Sequence, residues 1–367
     1  MYKCVQNVYR QILAHGVGMN NKNLSTNKYD VIDAFKCYFF ISVIVGVASL
    51  IFSIVISIVA SAKGVSSETI SSSDTVQIIS YILSPCIFIA FFLIYNKKAK
   101  VRNKFAISDG NSISLLPISI AMVLAIISIF LFTPVMNFFQ ALFETKGYNV
   151  DNTIPMQENM SNSFAFFVFG LLVYALLPAI AEELIFRGVI LKSLSSRYTG
   201  FVAITLSSIM FVLMHGSLQQ TLYQLVMGIM LGYLAYVGGS IIYSILLHFL
   251  NNALVIVFSC FDVVGYISGQ ETIYYNIFSV IFPFMLFILG LILVGILFWV
   301  LKFLRNKNFF RLDENGKFKK IDVEELEEKD GFKGLWTNLA YHERVYMLAS
   351  FGLVIFIWLI NTIAGFM

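Results

Sequence analysis

Of 367 residues, 58% are hydrophobic and 13% charged, and the mean hydropathy is +0.81. One water-soluble core cannot hide that much apolar surface, which excludes a soluble globular domain and leaves a polytopic membrane protein. The net charge of +4 does not call for a nucleic-acid partner, because the lysines and arginines flank apolar runs, where membrane topology accounts for them.

Residues 1 to 34 carry Lys3, Arg10, Lys22 and Lys28 without a long apolar run, so a cleaved signal peptide is not expected there. Val5, Val8, Tyr9, Ile12 and Leu13 instead suit a short amphipathic helix lying on the cytoplasmic membrane face. Apolar runs of about 20 residues, enough to cross a ~30 Å hydrocarbon core, then recur along the chain. Spans are predicted near 37–62, 76–95, 113–137, 164–185, 200–217, 219–237, 240–260, 276–301 and 346–366. The expected fold is all-α, a transmembrane bundle of eight to nine spans in a lipid bilayer. Its parts are N-terminal spans over 35–163, a four-helix core over 164–260, a loop and span over 261–301 and a final span over 346–367. Residues 302–345 form a polar insert, read as a cytoplasmic loop with one short solvated helix.

With nine spans the basic clusters fall on one side: the N-terminal arm, Lys97 to Lys104, Lys192 with Arg197, and Lys302 to Lys333. That side is taken as cytoplasmic, with the N-terminus on it. The loop holding Glu144, Asp151 and Glu158, on the other side, carries more acid than base. Cys37, Cys86 and Cys260 lie in apolar runs, Cys4 near the N-terminus, with no CxxC spacing; all four are read as small packers rather than bridges. Richness in Ile, Asn, Lys and Phe hints at an AT-rich bacterium and hence a plasma membrane.

Charges within apolar sequence usually mark function. Here they are few and patterned: Glu182 and Glu183 with Arg187, then His215, then His248 with Asn252. Helical spacing makes Glu183 and Arg187 an i, i+4 pair, while Glu182 projects about 100° away, free of that partner. Phe211 and His215 end the run that starts at Phe201, and His248 and Asn252 stack one turn apart in the run from Ile241 to Val257. With a turn over Arg197 to Gly200, Glu182 lies 16 residues before position 198 and His215 17 after it. At 1.5 Å per residue both sit about 25 Å from the turn, so a hairpin brings them to one depth. His248, nine residues beyond Gly239, would be only about 14 Å in, and joins them if the first turn projects from the membrane. A carboxylate, two imidazoles and a carboxamide around one polar cavity suit amide hydrolysis, in which water needs a base and the oxyanion needs donors or a metal.

Each element also has a structural reading. A Glu–Arg pair at this spacing is often only a helix salt bridge, and a lone histidine in an apolar helix is more often a packer than a ligand. Gly228 and Gly232 read as a small-xxx-small packing stripe. The acids Glu324, Glu325, Glu327 and Glu328 read as a solvated face. His342-Glu343 begins like the zinc signature HExxH, but position 346 is Tyr346.

In order, Glu182-Glu183 with Arg187, Phe211 with His215, and His248 with Asn252 resemble the EExxxR, FxxxH and HxxxN motifs of the CAAX prenyl endopeptidase and bacteriocin-processing (CPBP, or Abi) family of intramembrane proteases. The resemblance covers 164–260. It implies a helical core with a cavity open to the cytoplasmic side, cutting peptide or membrane-protein substrates near a C-terminus or in a leader. It makes Glu182 the general base assisted by His215, Glu183 and Arg187 the residues that orient that helix, and His248 with Asn252 the oxyanion holders. The family's usual metalloprotease label makes Glu182, His215 and His248 a three-ligand Zn2+ set; a metal-free glutamate mechanism uses the same residues. Bacterial peptide-pheromone or bacteriocin maturation, or protein-secretion support, is the expected use. The competing readings are a non-catalytic scaffold or bacteriocin self-immunity protein using the same cavity, and a proton-coupled transporter, which lacks the support of an internal repeat.

Overall fold

The structure is a computed structural model that describes residues 29–101, 106–108, 114–149, 157–260, 277–307, 310–312, 318–320 and 329–366. Nearly all of the expected amphipathic arm, Cys4 and the acids Glu324 to Glu328 lie outside the described residues.

The membrane-spanning part of the chain is an all-helical bundle. In order it forms α1 (Val31–Lys63), the short α2 (Ser67–Ser71), α3 (Asp74–Ala99), α4 (Leu115–Glu144), the short α5 (Gln157–Asn162) and α6 (Phe164–Arg197). It continues through α7 (Gly200–His215), α8 (Thr221–Gly238), α9 (Ile241–Cys260), α10 (Ile277–Lys307), the short α11 (Gly334–Thr337) and α12 (Tyr341–Ala364). Among the described residues eight of these are long and apolar enough to cross a membrane, and α7 is a shorter ninth apolar helix. Their outer faces are apolar where a soluble protein would be polar: Val47, Leu50, Ile54 and Ile58 of α1 are all exposed. Lipid covers such faces, and each helix satisfies its own backbone there.

The insert departs from expectation. Alongside the short α11 it forms an antiparallel ribbon, β1 (Phe310–Leu312) and β2 (Phe318–Lys320), with Phe310 opposite Lys320 and Leu312 opposite Phe318. Cys37 and Cys260 are buried packers as read, whereas Cys86 is exposed; all three are free.

Two prolines reshape the spans. A proline donates no backbone hydrogen bond and its ring crowds the carbonyl four residues earlier, so the helix must widen or bend. Ser128–Phe132 in α4 and Leu171–Leu176 in α6 are π-helical and stop just short of Pro134 and Pro178. A third π-helical stretch, Leu184–Leu191, follows Glu183 directly and has no proline in it. Such wide turns often lie at functional sites.

The turn between α6 and α7 is held by the end of the insert. The Arg197 guanidinium donates to both carboxylate oxygens of Glu343, at 2.8 and 3.1 Å. The Asp330 amide donates to the Arg197 carbonyl, the Thr199 amide to the Asp330 carbonyl, and Lys329 Nζ to the Ser195 carbonyl. At the other end of α7, Gly216 caps the helix at φ 62°, and a Cβ there would stand 2.5 Å from Asn361 Nδ2 of α12. Glycine is thus needed twice over, and it leaves His215 as the last helical residue.

Candidate active site

Helix α6 supplies the carboxylates. Glu183 and Arg187 are both fully buried, and Arg187 donates to Glu183 Oε1 at 2.7 Å across one turn, as the spacing requires. The same guanidinium donates to the Gly228 carbonyl of α8 at 3.0 Å and lies 4.5 Å over the Phe211 ring. A buried charge pair is tolerable only when its remaining donors and acceptors are met, and here a backbone carbonyl and an aromatic face help to meet them. Glu182, turned away from that pair, keeps 24% of its side chain exposed.

The two histidines come from α7 and α9. His215 Nε2 lies 3.8 Å and His248 Nε2 3.9 Å from Glu182 Oε2. Their other nitrogens are anchored: His215 Nδ1 is 2.8 Å from the Phe211 carbonyl, and His248 Nδ1 is 3.1 Å from Glu183 Oε1. A carbonyl and a carboxylate can only accept, so this geometry suits a proton on each Nδ1 and turns each Nε2 toward Glu182. Phe211 separates the charges: its ring meets His215 edge-on at 4.6 Å and His248 at 6.0 Å, with Arg187 on it as well. All seven motif residues therefore converge on one place, with Phe211 and Asn252 on the cavity wall. The single depth explains the clasp at the far turn. Glu182 is 15 residues from Arg197 and His248 only seven from Ile241, so the α6–α7 turn projects on the order of 10 Å beyond the start of α9.

Glu183 does more than pair with Arg187, since it also orients His248 from 65 residues away. One consequence concerns the oxyanion. As a neutral imidazole with its proton on Nδ1, His248 offers only a lone pair at Nε2; it donates there only when it holds a second proton.

The cavity has a volume of about 520 Å³ and exposes residues that the motifs do not contain. Tyr223 of α8 donates to Asn251 Oδ1, which also accepts from Ser128 Oγ at 3.0 Å; Asn251 Nδ2 in turn lies 3.5 Å from Asn252 Oδ1. This chain leaves the Asn252 N–H groups as donors for the cavity. Nothing in the sequence marked Asn251 apart from its neighbour, and Ser128 faces it from the π-helical stretch of α4. Gln219, Gln220, Gln224 and Tyr174 also line the wall. Three polar atoms of the lining have no hydrogen-bond partner among the described residues: Glu182 Oε2, Gln219 Oε1 and Tyr174 Oη.

Gaps of 3.8 and 3.9 Å are too long for direct hydrogen bonds and suit a bridging water. The same donors fit zinc in kind and direction, with His248 held by a carboxylate as zinc-bound imidazoles commonly are. In spacing they are about half an ångström wider than the ~3.3 Å between ligand atoms that bonds of 2.0–2.1 Å give in a tetrahedral site. Among the described residues no three His, Cys, Asp or Glu are already grouped as a metal cluster.

Residues 164–254 match the family model described as Type II CAAX prenyl endopeptidase Rce1-like. No curated protein and no solved structure matches the chain. The matched stretch contains α6, α7, α8 and most of α9, the four helices around Glu182.

Proposed function

We propose, from the premise that residues 164–254 are an Rce1-like domain of the CPBP family of membrane proteases, that the chain is an intramembrane endopeptidase with Glu182 as its base. The carrying observation is the buried Glu182 Oε2, unpartnered yet within 4 Å of two imidazole Nε2 atoms. A water between Glu182 and His215 gives its proton to the carboxylate as its oxygen attacks the scissile carbonyl carbon. The carbonyl oxygen becomes an oxyanion that takes hydrogen bonds from the Asn252 amide and from His248 when doubly protonated. The tetrahedral intermediate then expels the amine, which leaves with the proton that Glu182 took from water. Arg187 and Glu183 fix the carboxylate-bearing helix and His248. If zinc is bound, Glu182, His215 and His248 would hold it, and it would supply Lewis-acid charge stabilisation and a more acidic water.

The substrate is a peptide or a membrane-protein segment. The AT-rich bacterial composition favours maturation of a secreted peptide or bacteriocin over processing of prenylated proteins. The test is cleavage of a tagged peptide library by the full chain in liposomes. Glu182→Ala should lower the rate by about 10²–10⁴-fold while the protein stays folded in the membrane. Full activity in that variant refutes the assignment, and biological function that survives loss of both Glu182 and His215 would mark a binding scaffold.

A further inference from the structure

The direction in which the cavity runs follows from where its lining residues lie on their helices. The basic face is marked by Lys97 and Lys98 at the end of α3, Arg197 at the end of α6, and the insert before α12. The lining lies away from it. Tyr81 is in the second turn of α3, near Asp74; Gln140 is one turn from the end of α4 at Glu144; Tyr174 is in the first half of α6. Gln219 and Gln220 are in the connection after His215, and Ile256 is one turn from the end of α9. The lining reaches the middle of the bundle at Glu182, Leu231 and His248 and includes no residue of the basic ends.

The face it runs toward is acidic. The connections 63–74, 144–164, 215–221 and 260–277 hold two basic residues, Lys63 and Lys146, against seven acids: Glu68, Asp74, Glu144, Asp151, Glu158, Asp262 and Glu271. Arg187 apart, every other lysine and arginine of the 25 lies in the N-terminal region through Lys36, at 97–104, at 192–197 or at 302–344. Positive charge is retained on the cytoplasmic side of a membrane, so the acidic face is the outer one.

We infer that the cavity opens on the extracytoplasmic side and receives an extended peptide from there. This reverses the cytoplasmic opening implied by the family resemblance. The peptide part rests on the protease reading; the side does not. Between Glu182 and the outer face the wall is uncharged and rich in amide and hydroxyl groups, with Gln219 Oε1 and Tyr174 Oη unpartnered. An acceptor and a donor placed along that route match a peptide main chain, the Gln219 oxygen taking an N–H and the Tyr174 hydroxyl giving to a C=O. An uncharged wall discriminates against lysine- or glutamate-rich segments beside the cleaved bond.

The test is cysteine accessibility in the full chain, with Cys4, Cys37, Cys86 and Cys260 replaced and one cysteine returned at a time. Gln220→Cys marks the cavity mouth, Lys146→Cys the acidic face and Lys333→Cys the basic face. A membrane-impermeant maleimide should label the first two in intact cells and the third only after lysis. Labelling of Lys333→Cys in intact cells, or of Gln220→Cys only after lysis, overturns the inference. In a second arm, a mixed-sequence decapeptide library is added outside intact cells. Wild type should cleave it, Glu182→Ala should not, and Tyr174→Phe should raise KM by about three- to tenfold with kcat little changed. Outer labelling without cleavage would remove the protease reading and leave the side standing; inner labelling would remove the side and leave the Glu182 test untouched.

Discussion

Arg187→Met should destabilise the protein about as much as truncating one of its largest buried apolar side chains. The substitution keeps a long unbranched side chain in the space but removes the donors at 2.7 Å to Glu183 and 3.0 Å to the Gly228 carbonyl, and the cation on Phe211. Glu183, with 0% of its surface exposed, is left charged with His248 at 3.1 Å and the Ser244 hydroxyl as its remaining partners. Breaking a buried pair by removing one member costs about 3–5 kcal/mol, most of it the stranded charge. If the stranded charge is the cause, removing it should help: Arg187→Met with Glu183→Gln keeps an acceptor for His248 Nδ1 and should be more stable than Arg187→Met alone. The assay is reversible unfolding of the full chain in mixed detergent micelles, run as a double-mutant cycle with a coupling of about 0.5–3 kcal/mol expected. A single variant within about 0.5 kcal/mol of wild type, or a double variant showing the plain sum of the two losses, would refute the reasoning.

Tyr223→Phe removes the hydroxyl that holds Asn251 and, through it, Asn252. We expect kcat to fall by about three- to tenfold while stability changes by about 1 kcal/mol, the ordinary worth of one hydrogen bond; kinetics on the liposome-embedded enzyme separate the two. At Gly232 a Cβ would stand 3.1 Å from Ile204 Cγ2 where α8 crosses α7, so Gly232→Leu should cost about 1–3 kcal/mol. Ile204→Ala in the same chain should recover part of that loss in the unfolding assay. For the metal, the gaps around Glu182 suit water better than a closed zinc shell. Exhaustive chelation followed by buffer exchange should therefore leave cleavage intact, whereas loss restored by added zinc would assign Glu182, His215 and His248 to the ion.

Much of the bundle was legible because the bilayer imposes one rule on every span. A run of apolar residues about 20 long must be helical, since lipid offers no partner for a free backbone N–H or C=O. The ends of α6, α4 and α12 were harder to place. Arg197, Glu144 and Arg344 are polar, yet the helices run on past the apolar runs because backbone bonding continues into the interface. The ribbon at Phe310–Leu312 and Phe318–Lys320 was missed because three-residue strands leave too little alternation to read. The pairing of Glu183 with Arg187 was local, one helical turn apart, and so was readable; the equal depth of Glu182 and His215 followed from counting residues to a shared turn.

What the sequence alone determined about this protein is therefore local or topological: which segments span, which face is basic, and which residues share a helix face. Those follow from chain-neighbour geometry and from the cost of placing charge in lipid. Tertiary structure alone decided that Glu183 reaches His248, that Phe211 stands among Arg187 and both histidines, that Ser128 and Tyr223 meet on Asn251, and that the cavity runs toward the acidic face. Each of these joins residues tens of positions apart, and depends on the rotation of one helix against another. That rotation is set by close contacts such as Gly228 on Ser208 and by wide π-helical turns near prolines, which hydropathy does not encode.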